Sequence, residues 1–203
     1  MFFNKHYLLT CAVALVCIGS LTGWAKPIRV VTIMGDFSAI TKSIGGDLVH
    51  VDTLITGSRN LHHINPKPSM VMKVKKADII VRLGMGTDKW IDELIHVARN
   101  SKLFYGQTGY IDASISIDAL EIPTGPVDGR DGDIHAAGNP HYWLNPNNGK
   151  LIAEQIKDHL STLDPQNASI YQQNYQQFCD DIDTKMTGWK NALSTIKNRP
   201  FFT

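Results

Sequence analysis

Seven histidines lie beyond the first 25 residues: His50, His62, His63, His96, His135, His141 and His159. Imidazole is a borderline donor, neutral near pH 7, which suits zinc and its neighbours. Two or three imidazoles converging from separate loops, with one or two further ligands, make a tetrahedral site. Their settings separate the seven. His50 alternates with Val49 and Val51 and is expected to face solvent, while His96 and His159 fall on the polar faces of helices. His62, His63, His135 and His141 fall in loops or near strand ends. His63 directly follows His62, so the two side chains leave the backbone in different directions and one of them ligates far more easily than both.

Two local contexts add to the case. In Asn60-Leu61-His62-His63-Ile64-Asn65-Pro66-Lys67-Pro68-Ser69, prolines stiffen the chain after the histidines and Pro68-Ser69 opens a helix. A ligand held in place beforehand loses less entropy on binding. In Gly138-Asn139-Pro140-His141-Tyr142-Trp143-Leu144-Asn145-Pro146, Pro140 sets the backbone before His141. Trp143 and Leu144 are expected to anchor that segment in the core.

The elements that must carry these loops alternate. Apolar, β-branched runs predict strands over 28–33, 48–55 and 79–83, with a fourth at Leu103-Phe104-Tyr105. Apolar residues three or four apart predict helices over 37–44, 68–76 and 90–98. Such alternation implies an α/β fold, a mostly parallel sheet flanked by helices. Ligands of these sheets meet the loops at the carboxyl ends of the strands. Residues 108–141 read as irregular. Asn145-Pro146 caps a helix running to about Leu163, and Asp164-Pro165 repeats the device. Tyr171, Tyr175, Phe178, Ile182, Met186 and Trp189 then predict one long helix to about Lys197, bent near Gly188. The stretch from Pro200 reads as the start of a further strand.

Bulk properties narrow the partners. Lys5, the apolar stretch 7–21 and Gly23-Trp24-Ala25 read as a cleavable export signal over 1–25. Neither Cys11 nor Cys17 follows the small residue that a lipoprotein site wants. Beyond residue 25 the chain carries 19 basic and 19 acidic side chains, so its formal charge is zero. That balance offers no strong field for nucleic acid. Only Cys179 remains after cleavage, so no internal disulfide is expected.

The two histidine segments resemble the two N-lobe motifs of zinc/manganese solute-binding proteins of the ZnuA/TroA type. Gly132-Asp133-Ile134-His135 is similar to a segment found in one subgroup, and Ala77-Asp78-Ile79-Ile80-Val81 and Gly45-Gly46-Asp47 also fit. The resemblance covers nearly all of residues 27–203. It implies that His62 and His141 are metal ligands and that His135 is an additional or transient one. It implies Zn2+ as transported ligand, with Mn2+ or Fe2+ as alternatives. It also implies a periplasmic, monomeric binding protein without enzymatic activity that delivers a divalent metal ion to an ABC transporter membrane permease. The implied organisation is a signal peptide over 1–25, a metal-binding α/β lobe over 26–163 and a long linker helix over 164–198. Residues 199–203 would begin a second lobe, expected to be missing here together with its ligands. Asn60-Leu61 stands where many members have Asp-Pro, and Asn145 where many have Asp; neither change removes a ligand.

The rival from another class is a secreted zinc-dependent hydrolase, which needs three protein ligands, an open position and a general base. No His-Glu-x-x-His motif is present, and Asp133-x-His135 is its one pointer. Asp128, Asp131 and Asp133 suggest a calcium loop, but the twelfth position from Asp131 is Tyr142 and the sixth is Ala136, which excludes it.

Overall fold

The computed structural model describes residues 26–57, 64–125 and 135–196. The expected export segment, His62, His63, Asp133 and the stretch from Pro200 lie outside these residues. Four strands form one sheet: β1 (Ile28–Thr32), β2 (Val49–Thr53), β3 (Ile79–Arg82) and β4 (Tyr110–Asp112). Their order is β2-β1-β3-β4, and every pairing is parallel. β1 and β3 lie inside the sheet. Val30, Val31 and the whole of β3 are buried, the pattern of parallel strands covered on both faces.

The helices are α1 (Gly35–Gly45), α2 (Pro68–Lys76), α3 (Trp90–Ala98), α4 (Pro146–Leu163) and α5 (Ala168–Ala192). α2 packs on α3, while α1 packs on α4 and α5, so the two groups form separate helical layers. Phe37 and Ile44 of α1, Ile91 and Leu94 of α3, and Ile152 and Ile156 of α4 are fully buried in the core. Pro68 opens α2 and Pro146 opens α4, where the Asn145 side chain accepts from the Asn147 N–H at 3.0 Å. Both starts follow the capping logic read from sequence.

Two expectations need correction. No strand forms at residues 103–105. Leu103 ends a 3-10 turn, Ser101–Leu103, and the fourth strand lies at Tyr110–Asp112, inside a stretch read as irregular. The long helix also starts later than Pro165. Pro165–Asn167 form a 3-10 turn, and a second 3-10 turn, Ser194–Ile196, follows the end of α5. The first turns of α5 are pinned: the fully buried Tyr171 donates to Asp164 Oδ2 at 2.7 Å, and Asn174 Nδ2 donates to the Ile44 carbonyl at 2.8 Å. Farther along, Trp189 and Leu193 are exposed.

Candidate metal site

From β1 the chain turns back through α1 to β2 on one side. From β3 it continues to β4 on the other. The crevice outside the carboxyl ends of β1 and β3 is therefore the topological switch point of the sheet, the usual ligand position in such folds. Next to it, at the carboxyl ends of β1 and β2, a cleft of about 480 Å³ opens, lined by residues 34–36 after β1, Thr53 at the end of β2, residues 55–57 and Trp143. Asp36 is the carboxylate among its lining residues.

His141 belongs to the segment that supplies Trp143 to this cleft. It directly precedes a 3-10 turn, Tyr142–Leu144. Tyr142 fixes that turn to the sheet: its buried phenol donates to the Leu83 carbonyl, just past β3, at 2.5 Å. Burial, with Asp112 and Asp88 nearby, pushes the Tyr142 hydroxyl far above the ordinary phenol range, so it remains a donor. Asn148 Nδ2 donates to the Tyr142 carbonyl at 2.9 Å and ties the turn to α4. Pro140 is buried and His141 is exposed. The His141 ring lies 5.3 Å from the Trp143 ring, and Trp143 lines the cleft. The expected anchor Leu144 is instead 71% exposed; Tyr142 anchors the segment, with Trp143 partly buried against the core.

The shelf beneath Tyr142 is rigid. Arg82 is the charged residue at the end of the buried strand β3, and it donates to Asp88 Oδ1 from Nε at 3.1 Å and Nη2 at 2.7 Å. Its Nη1 donates to Asp92 Oδ1 and to the Tyr110 hydroxyl, each at 2.6 Å. Asp88 Oδ2 accepts the Leu83 N–H at 2.7 Å, which fixes the residue whose carbonyl Tyr142 uses. Burial would lower the Arg82 pKa, but the Asp88 hydrogen bonds and charge, with Tyr110 and Asp92, raise it above its usual value. A buried pair with its remaining groups satisfied is a positioning device rather than a source of net stability.

Asn139 sets the His141 imidazole. One amide atom faces both the His141 backbone N–H, at 3.0 Å, and the ring Nδ1, at 2.9 Å. A backbone N–H only donates, so that atom is the amide oxygen Oδ1. The ring therefore carries its proton on Nδ1 and keeps the Nε2 lone pair for another partner, the arrangement seen in metal-ligating histidines. His135 is half-buried and begins the turn before this segment, its carbonyl accepting the Gly138 N–H at 3.0 Å. His50 and His96 are exposed, as expected; His159 is half-buried, with Nδ1 2.5 Å from the Thr108 carbonyl.

The described residues that precede His62 border the same cleft. Past the end of β2, the Leu54 and Ile55 N–H groups still bond the Thr32 and Ile33 carbonyls, at 2.9 and 3.0 Å. Thr56 and Gly57 then line the cleft, and Ile64 packs on the core. Among the described residues, no three His, Cys, Asp or Glu side chains gather closely enough to hold an ion. The sequence reading singled out His141 but missed Asn139 and Tyr142. An Asn two residues ahead of a backbone N–H, in an Asn-Pro pair, was the signal for the first.

The family model described as zinc-uptake complex component A, periplasmic, matches residues 30–203. The manganese ABC transporter substrate-binding lipoprotein PsaA of Streptococcus pneumoniae is 27% identical over 175 residues, covering 84% of this chain and 53% of that protein. The iron-binding protein YfeA of Yersinia pestis is 26% identical over 172 residues, covering 85% of this chain and 51% of its own. The chain spans about half the length of these relatives. A crystal structure of a 138–173 deletion mutant of ZnuA with zinc bound superposes with a TM-score of 0.69 at 26% identity, covering 83% of this chain and 59% of that one. A Mn-bound periplasmic metal-binding protein from Candidatus Liberibacter asiaticus gives a TM-score of 0.67 at 23% identity, over 83% of this chain and 57% of that one. PsaA is by name the substrate-binding lipoprotein of a transporter, the others are named for metal uptake or metal binding, and these similarities do not support the hydrolase alternative.

Proposed function

The chain belongs to the periplasmic zinc-uptake component A family, and from that premise we propose that it captures a divalent transition metal outside the cytoplasm for delivery to an ABC permease. His141 is one ligand, through Nε2. His62 is the second, in the segment that follows the residues bordering the same cleft, and His135 joins them as an additional or transient donor. Zinc is the cargo this donor set favours, because imidazole-rich ligation suits it better than it suits manganese. The relatives named for manganese and iron mark those metals as the competitors to test.

The observation that carries this reading is the His141 imidazole, its proton held on Nδ1 by Asn139, beside Trp143 of the cleft at the carboxyl ends of β1 and β2. Imidazole ligates only in its neutral form, so binding weakens as pH falls: a protonated imidazole has no lone pair to give. A family member with ligands from both sides of a cleft would enclose the ion and hold it more tightly. The reading places the export signal at 1–25 and treats the described part as a metal-binding lobe followed by a connecting helix.

Equilibrium dialysis of the purified chain against zinc, with the bound metal counted by elemental analysis, tests the proposal. Chelator-sensitive retention that disappears in the His62→Ala, His141→Ala double variant is expected. Retention unchanged in that variant would refute the assignment. Repeating the dialysis with manganese and with ferrous iron decides the cargo; tighter retention of either than of zinc would overturn the preference for zinc.

A further inference from the structure

The geometry points to Glu121 as a positioning residue for His141, acting through Asn139; this rests on the metal-ligand reading of His141. Asn139 is used at both ends of its amide. Oδ1 takes the His141 backbone N–H and faces ring Nδ1, and Nδ2 donates to Glu121 Oε2 at 2.9 Å. The carboxylate is the terminal acceptor of a chain that runs Glu121, Asn139, His141. Glu121 is eighteen residues from Asn139 in sequence, so tertiary contacts must bring it there.

Two backbone features do so. The Asn139 N–H donates to the Leu120 carbonyl at 2.8 Å. Gly138, at φ +97, lets the 119–122 segment lie directly on it: an added Cβ would sit 2.6 Å from the Leu120 carbonyl oxygen and 3.2 Å from the Ala119 Cβ. Glu121 itself has φ +55, a left-handed conformation that a residue with a Cβ adopts at a cost. The strap is thus bent at the residue whose carboxylate receives Asn139.

The chemistry follows from the direction of the chain. A carboxylate accepting from Nδ2 polarises the amide and makes Oδ1 a better acceptor. That favours the Nδ1–H tautomer and holds the ring so that Nε2 is offered to the metal. Glu121 is exposed, so its bare charge is screened by salt and adds little long-range attraction for a cation. Its role is to orient.

Long-range proton–nitrogen NMR of the metal-free chain, at a pH where the imidazole is neutral, reads the tautomer directly. Competition with a chromophoric chelator reads zinc affinity. The wild-type His141 is expected as the Nδ1–H tautomer. Glu121→Ala and Asn139→Ala are expected to mix the tautomers, while Glu121→Gln, which keeps an acceptor, restores the wild-type signature. Zinc affinity should fall about tenfold or more in Asn139→Ala and by less than tenfold in Glu121→Ala. A wild-type tautomer in Glu121→Ala would overturn the inference, and because Glu121 is exposed that variant is the one expected to fold normally. Absence of zinc binding by the wild type would sink the metal reading alone, since the tautomer still reports whether Glu121 holds the ring.

Discussion

Replacing Tyr142 by phenylalanine removes one oxygen atom and keeps the ring, so its cost measures the tether between the His141 segment and the sheet. The phenol is 7% exposed and donates to the Leu83 carbonyl at 2.5 Å. Leu83 is itself 1% exposed. The variant therefore leaves a buried acceptor without this donor, which costs about 1–3 kcal/mol. With a urea slope of about 2 kcal/mol/M for a chain of this size, the unfolding midpoint should fall by about 0.5–1.5 M. Tyr105, 82% exposed, is the control; its phenylalanine variant should stay within about 0.5 kcal/mol of wild type. Equilibrium urea unfolding followed by tryptophan fluorescence makes the comparison. Zinc affinity measured on the same samples should fall with the stability, because the turn that presents His141 loses its anchor. A Tyr142→Phe midpoint no lower than that of Tyr105→Phe would refute the argument that this hydrogen bond holds the site to the sheet.

Asp88 is fully buried and Asp92 is 56% exposed, though both accept from Arg82. Asp88→Ala should destabilise by about 3–5 kcal/mol, the cost of stranding a buried guanidinium, whereas Asp92→Ala should cost about 0–1 kcal/mol in the same urea assay. Gly138→Ala meets both a positive φ of 97° and the Leu120 carbonyl; it should cost more than about 1 kcal/mol and loosen Asn139, seen as a lower thermal midpoint and altered His141 resonances. The Tyr142 and Tyr171 hydroxyls titrate higher in the fold than in the unfolded chain, chiefly because of burial. Their contribution is therefore complete below the ordinary phenol range, about pH 10, and is lost as pH rises above it. Stability measured from pH 8 upward should fall more steeply in wild type than in Tyr142→Phe.

Periodicity made the helices and the interior strands legible. α2 and α3 begin and end where the proline and the apolar spacing place them, and β1 and β3 are apolar because both faces are covered. The edge strand escaped because aromatic propensity pointed elsewhere. Phe104 and Tyr105 look like strand residues, yet they are 39% and 82% exposed, and only Leu103 of that trio enters the core. The true strand offers one buried side chain, Ile111. It begins beside Gly109, where an added Cβ would run into the Asp78 and Lys102 carbonyls. That close approach is a tertiary fact with no local pattern. At the site, Pro140 and the apolar Trp143-Leu144 made His141 stand out. Choosing between Tyr142 and Leu144 as anchor required knowing that a buried carbonyl awaited a hydroxyl. Glu121 could not be found from spacing at all, because a fold contact rather than sequence proximity brings it to Asn139.

X-ray absorption fine structure of zinc bound to the purified chain tests the central claim most directly. An imidazole shell with nitrogen at about 2.0–2.1 Å is expected, fitted by at least two rings in the wild type and by one ring fewer in either His62→Ala or His141→Ala. A shell of oxygen alone, or a spectrum that neither substitution changes, would contradict it.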